Sequence, residues 1–214
     1  GQELHLFQHN LHLYIFYSIF IAWIYQTGTR RNIGILCAFR GRSAPFFMEF
    51  CDRHKAERSF MKIGIIGGGK VGCTLAHHLP HHLVGIVGSS SEKTATLAAR
   101  FKVPTLSHTA LAAEADVVLL TVPDRLVPAV AQYLAQKAQH EPAMRNSIYL
   151  HCSGSLDLAP LASLQKTGAS VGSLHPLQSF ASAQEPLAPL EGVFMAIDGD
   201  AKALEAAKEL VTLL

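Results

Sequence analysis

Gly67, Gly69 and Gly72 stand in a G-x-G-x-x-G spacing inside the run Gly67-Gly68-Gly69-Lys70-Val71-Gly72. In that pattern the first glycine permits a tight turn, the second lets backbone approach a pyrophosphate, and the third lets a helix pack closely on a strand. The helix that follows offers free N–H donors and a partial positive charge to an anion. Residues 64–70 also spell G-x-x-x-x-G-K, but Val71 occupies the position where a triphosphate-binding loop needs Ser or Thr for Mg²⁺. A nucleoside triphosphatase is therefore set aside, and the expected ligand is a dinucleotide.

The end of the second strand bears on which dinucleotide. An NAD site places Asp or Glu there, about 20 residues on, to bond the ribose 2′-OH. This chain has Gly88-Ser89-Ser90-Ser91, with Lys93 close behind. Hydroxyls, backbone N–H groups and a nearby cation suit a 2′-phosphate, so the expected cofactor is NADP. The competing reading is that the serines only cap a helix.

Three further strand ends carry polar chemistry. Thr121-Val122-Pro123 should line the cofactor cleft, with Asp124 read as a helix cap. His151-Cys152-Ser153-Gly154-Ser155 follows the next strand, and His151, Ser153 and Gly154 are candidate cofactor contacts. His175-Pro176-Leu177-Gln178-Ser179-Phe180 follows the one after. Two histidines at successive strand ends are placed to meet near a reacting group, as acid or as anion partner. His175 is the expected catalytic residue, with Gln178 and Ser179 adding polar contacts from its loop. The alternative is that both histidines are structural. His77-His78-Leu79-Pro80-His81-His82 has metal-like i, i+4 spacings, but Pro80 interrupts the helix and no acidic or cysteine partner is near. No metal is expected.

These residues need strands that end on one edge. Short apolar runs, Lys62 to Ile66, Leu83 to Gly88 and Asp116 to Val122, alternate with helical patterns at Gly69 to Leu79, Ser91 to Phe101 and Asp124 to Gln139. Ser91 and Ser107 read as helix caps, and Val103-Pro104-Thr105 as a brief third strand. Ser147 to Cys152, Ala169 to Leu174 and Val193 to Ile197 complete the strands, with Leu156 to Thr167 helical and a helix opening at Asp200. This alternation predicts an α/β fold with a doubly wound, mainly parallel sheet.

Composition divides the chain at Met61. Residues 1–60 hold 12 of 17 aromatic residues and seven Lys/Arg against four Asp/Glu; residues 61–214 hold 11 against 12. Residues 1–60 are accordingly read as an extension outside the fold, residues 61–199 as the dinucleotide-binding domain, and residues 200–214 as the start of a truncated C-terminal helical region. Leu13 to Tyr25 is apolar except for Ser18, but at 13 residues it falls short of the about 20 that a spanning helix needs. No membrane role is expected. A net charge of +2 provides no footprint for nucleic acid. Cys37, Cys51, Cys73 and Cys152 form no C-x-x-C pair, and reduced thiols in a cytoplasmic protein are expected.

GIIGGGKVG, TVPD, HCSGS and above all GSLHPLQSF, in that order, resemble a bacterial family of oxidoreductases. Its members join a Rossmann-like NADP-binding domain to an uncharacterised, mostly helical C-terminal domain. The resemblance covers Met61 to Leu214. The family is similar to pyrroline-5-carboxylate reductases, ketopantoate reductases and 6-phosphogluconate-dehydrogenase-like proteins, and the His-Pro pair resembles one in prephenate dehydrogenases. It implies NADP binding and hydride transfer to or from a small imine, keto acid or hydroxy acid, without naming the substrate. It also implies that the helical domain completes the substrate pocket and the homodimer. The alternative is a dinucleotide-sensing or partner-binding module without turnover.

Overall fold

The computed structural model describes residues 34–36, 60–184 and 187–214. The apolar run at Leu13 to Tyr25, Cys37 and Cys51 lie outside the described residues. Residues 33–214 form one compact unit, and the other, residues 1–32, contains no described residue.

The sheet has seven described strands: β1 (Gly34–Leu36), β2 (Ile63–Ile66), β3 (Leu83–Val87), β4 (Val117–Leu120), β5 (Ile148–His151), β6 (Ser170–Pro176) and β7 (Met195–Gly199). Their order across the sheet is β1-β7-β6-β5-β4-β2-β3. β3, β2, β4, β5 and β6 run parallel, whereas β7 is antiparallel to β6 and β1 antiparallel to β7. The chain leaves β2 toward β3 on one side and returns to β4 on the other. That reversal makes the β2–β4 junction the switch point of the sheet.

Both faces are covered, which is why the strands read as continuous apolar runs. Ile63 and Ile65, Val117 and Leu119, and Leu150 face one core with Leu75 of helix α1 (Lys70–His78), Leu79 just past its end, and Ala207 and Leu210 of the last helix. Ile66, Val118, Leu120 and Tyr149 face the other core. There they meet Leu111 of a helix at His108–Glu114 and Leu134 of a helix at Val127–Lys137. Successive residues of one strand thus enter opposite cores, as a two-residue side-chain period requires. The helices after α1 are α2 (Ser91–Phe101), α3 (His108–Glu114), α4 (Val127–Lys137), the single turn α5 (Ala162–Gln165) and α6 (Ala201–Leu213). Residues 200–214 include the helix of this sheet layer: Ala203, Ala206, Ala207, Leu210 and Val211 of α6 are buried in the first core.

Several local expectations are corrected. Val103-Pro104-Thr105 is not a strand. Lys102 closes α2 in the left-handed region (φ 56°), and the Val103 N–H turns back to the Ala98 carbonyl at 3.0 Å, so it is spent on the helix end. The cap of α2 is Ser90 rather than Ser91; its hydroxyl accepts the Lys93 N–H at 3.2 Å. Asp124 opens a 3₁₀ turn, Asp124–Leu126, without capping it, and α4 begins at Val127 with Pro128 in its first turn. The Leu156 to Thr167 helix reduces to a 3₁₀ turn, Ala159–Leu161, and α5.

β1 comes from the segment that composition set apart, and it covers the open edge of β7. Among the described residues, the five parallel strands and both cores are built from positions after Phe60. A chain beginning at Phe60 is therefore expected to fold cooperatively, with faster amide exchange confined to β7. Loss of a cooperative thermal transition would show that residues 1–59 are integral to the fold.

Candidate functional site

The glycine turn sits at the switch point, clamped from both sides. The Gly67 N–H donates to the Val87 carbonyl at the end of β3 (2.8 Å). From β4, Thr121 donates its N–H to the Ile66 carbonyl (2.9 Å) and its hydroxyl to the Gly67 carbonyl (2.7 Å). Gly67 has φ +123°, and a Cβ there would lie 2.6 Å from the Thr121 backbone. A Cβ on Gly72 would overlap the Gly67 carbonyl oxygen, and one on Gly68 would overlap Leu97. Gly69 differs: a Cβ would meet nothing within 4 Å. No neighbour in the protein explains its lack of a side chain, whereas a ligand lying against the backbone would.

Gly69 is also the N-cap of α1, with no side-chain cap and no acidic residue in the first turn. Lys70 is exposed beside it, and Val71 packs partly on the first core. The N–H groups at the start of α1 therefore face the edge without a capping acceptor, the arrangement that attracts an anion.

Beyond the end of β3 lies a cleft of about 440 Å³. Gly88, Ser89, Ser90, Ser91, Ser107 and His108 are among the residues lining it. The loop is rigidly tied, since Thr94 accepts the Gly88 N–H (3.0 Å) and donates to the Ser90 carbonyl (2.8 Å). With Ser90 used as a cap, the exposed Ser89 and Ser91 hydroxyls are the ones placed to meet a ligand. Among the described residues no carboxylate lines the cleft; Glu92, in the first turn of α2, is exposed and outside the lining. His108 was not singled out from the sequence. It enters the cleft because α3 lies beside β3, a relation that depends on the crossover and not on any local pattern.

The ends of β4, β5 and β6 adjoin on the same edge. Val122 is half-buried and Pro123 exposed, so Thr121 is the member of that trio fixed directly to the glycine turn. Asp124, expected as a cap, instead accepts the Ser155 hydroxyl at 2.6 Å, joining the β4 and β5 loops. Ser155 in turn gives its N–H to the Ser153 hydroxyl (3.2 Å), and the two hydroxyls are 3.3 Å apart.

The two histidines divide in role. His151 is fully buried. Its Nε2 donates to the Asp157 carbonyl (3.1 Å), and its Nδ1 accepts the Ser153 N–H (3.3 Å). Those partners assign the Nε2–H tautomer. Burial, the largest influence, pushes its pKa below the ordinary value. The expected role of its ring as acid or anion partner is thus corrected: both nitrogens are spent on shaping the loop.

His175 is half-buried, and its Nδ1–H donates to the Cys152 carbonyl at 3.1 Å. Nε2 is left as an acceptor over Gly154, where a Cβ would overlap the ring. Burial pushes the Cys152 thiol up to about 12, so it stays protonated and unreactive at neutral pH. The Gln178 amide donates to the Pro189 carbonyl (3.0 Å), bracing its own loop, while Ser179 is exposed.

The histidine cluster after α1 pins elements together. His78 Nε2 bonds the Ala188 carbonyl (3.1 Å), His82 Nδ1 bonds the Met61 carbonyl (3.0 Å), and the His82 ring stacks on Phe60. Among the described residues no group of three or more His, Cys, Asp or Glu side chains is placed to hold a metal. No helix among them is long and apolar enough to cross a membrane.

A twisted parallel sheet covered on both faces, with a glycine turn at its switch point, defines the doubly wound α/β class. The chain belongs to the Rossmann-like domain family, which matches residues 49–176. No curated protein matches it. Similar solved structures include prephenate dehydrogenase from A. aeolicus in complex with hydroxyphenyl propionate and NAD+, at 18% identity and TM-score 0.56, covering 74% of this chain and 58% of that one. An imine reductase from Bacillus cereus aligns at 16% identity and TM-score 0.54, covering 72% and 52%. A 1-pyrroline-5-carboxylate reductase from Streptococcus pyogenes aligns at 22% identity and TM-score 0.51, covering 72% and 56%. The chain spans little more than half the length of each of these proteins. At these identities the likeness is one of fold.

The glycine geometry separates packing from binding. Gly72→Ala should destabilise by about 1–3 kcal/mol, because a well-packed contact must move. Gly69→Ala should alter stability by less than about 1 kcal/mol yet weaken dinucleotide binding roughly tenfold, about 1.4 kcal/mol. Urea unfolding and calorimetric titration distinguish the two. Unchanged affinity in Gly69→Ala would mean that the open face of the turn is not a ligand site.

Proposed function

We propose that this chain is the dinucleotide-binding part of an NADP-dependent oxidoreductase that transfers hydride to or from a small imine, keto acid or hydroxy acid. The observation that carries this reading is the uncapped start of α1, left open by Gly69, beside a carboxylate-free cleft at the end of β3. From β3 to β6 the edge spans four strand spacings, roughly 19 Å. Residues Gly67 to Gly72 would hold the phosphates of an extended dinucleotide and Ser89 to Ser91 its adenosine end, which leaves the β5 and β6 loops for the reactive end. That the similar structures are a dehydrogenase and two reductases supports the same class, and one of them holds NAD+.

The residues fit such a cofactor. Gly69 and the first turn of α1 would take the pyrophosphate, with Lys70 adding charge, and Ser89 and Ser91 would take the ribose end. When bound, the cofactor supplies the hydride chemistry. The protein positions the substrate and handles the proton. His175 is suited to that task because its Nδ1–H is fixed on the Cys152 carbonyl, which leaves Nε2 to exchange a proton with the substrate. In the oxidative direction Nε2 accepts the hydroxyl proton as hydride leaves carbon. In the reductive direction the protonated ring returns it to the keto oxygen or imine nitrogen. Ser153 and Ser155, polarised by Asp124, offer further hydroxyls at the same edge. Gln178 acts in this scheme through the shape of the His175 loop.

Two outcomes test the reading. Calorimetric titration should show NADP+ binding more tightly than NAD+ by about tenfold or more, about 1.4 kcal/mol, and Ser89→Asp should remove that preference. Tighter NAD+ binding, or NADP+ affinity indifferent to Ser89→Asp, counts against it. NADPH consumption can be scanned over small keto acids and cyclic imines, and NADP+ reduction over small hydroxy acids. Whichever substrate turns over should slow by about 10²-fold in His175→Asn, with stability and NADP+ affinity nearly unchanged. Intact turnover alongside a large drop in melting temperature would make His175 structural.

A further inference from the structure

The cleft at the end of β3 is lined by small polar and apolar residues, and among the described lining residues His108 is the one with an ionisable side chain. Its ring is held in place: it is half-buried and meets the Tyr133 ring of α4 edge-on, 6.0 Å between centroids. A volume of about 440 Å³ is within the range of small-ligand pockets. The hydroxyls of the lining leave most of a 2′-phosphate's charge uncompensated, Lys93 stands outside the lining, and His108 is the described lining group able to supply a cation.

We propose that His108 is the specificity-determining residue of this cleft, contributing a positive charge to the 2′-phosphate only when it takes up a proton. The proposal rests on the NADP reading above and deepens it. In the empty cleft, burial lowers the pKa of His108, so the ring is neutral at neutral pH. A phosphate dianion arriving beside it favours the imidazolium, so binding draws in one proton. The sign follows: affinity for the 2′-phosphate is strongest where His108 is charged and falls as pH rises through the pKa it has in the complex.

The other charged groups around it leave that reading intact. On its own helix, Glu114 lies at the far end and pairs with Lys62 at 3.3 Å. On α4, the Lys137 ammonium sits 5.5 Å from the Tyr133 ring centroid. On α2, Glu92 and Lys93 are exposed and outside the lining. Ser89 and Ser91 complete the phosphate's donors without a charge of their own.

The experiment is isothermal titration of the intact chain with NADP+ and with NAD+, between about pH 6.5 and pH 8, in buffers of differing ionisation heat. The lower limit keeps the 2′-phosphate, with its second pKa near about 6, largely dianionic. NADP+ binding should take up protons and weaken roughly threefold or more as pH rises, while NAD+ binding stays flat. His108→Gln should lose about tenfold in NADP+ affinity and abolish the proton uptake without affecting NAD+. His108→Lys should restore the affinity and make it independent of pH. NADP+ preferred over NAD+ with the same pH course in His108→Gln overturns the proposal and leaves the NADP reading standing. Equal losses for both cofactors in His108→Gln also overturn it, because the ring then serves the adenosine or the fold. Tighter NAD+ than NADP+ overturns the NADP reading and the proposal together.

Discussion

The close approach of β2 and β4 at their carboxyl ends governs what the rest of this edge can do. Thr121 holds the Gly67 carbonyl; a methyl group on Gly67 would run into Thr121, and one on Gly72 would run into the Gly67 carbonyl. That contact fixes where α1 begins and which way its first N–H groups point. A helix start displaced by an ångström would no longer face a group lying along the edge. The Gly67 bond to the end of β3 makes the same turn a reference point for the cleft beside it. Glycine turn and cleft are therefore tied together, by the Gly67–Val87 backbone bond and by the hydroxyls of Thr121 and Thr94.

Away from the switch point, the edge is organised by histidines and serines that serve unlike ends. His151 is consumed by its loop, and that expenditure presents Ser153, Gly154 and Ser155 at the end of β5. Gly154 then leaves space for the neighbouring His175 ring. One histidine shapes the seat in which the other sits. The Asp124–Ser155 bond ties the β4 loop into the same arrangement, so three strand ends share a continuous polar surface.

Much of this was legible in the sequence because its causes are local. The G-x-G-x-x-G spacing, the apolar strands and the α/β alternation each follow from residues a few positions apart. The misreadings arise where the cause is distant. Ser90 and Ser91 are equally good caps by type, and the choice of Ser90 depends on where β3 ends and on the Thr94 hydroxyl that holds the loop. Asp124 stands before a helix like any cap, but Ser155, far along the chain, claims its carboxylate. Val103 has strand character, yet its N–H is taken by the end of α2. His108 gives no local signal at all, since its significance comes from α3 lying beside β3. His151 and His175 look alike in sequence, and only burial and the atoms facing each nitrogen separate them.

The reversed strand β7 has an electrostatic consequence. α1 follows a parallel strand, so it starts at the carboxyl edge and presents the positive end of its dipole there. α6 follows a strand of opposite direction, so it starts at the amino edge, where Asp200 caps it and also binds the Val171 N–H at the beginning of β6. It then runs about 20 Å back toward the functional edge. The two helices lie on the same face with opposed dipoles. The carboxyl edge thus receives the positive end of α1, whereas the positive end of α6 lies at the opposite edge. Such a helix start draws an anionic group toward the glycine turn.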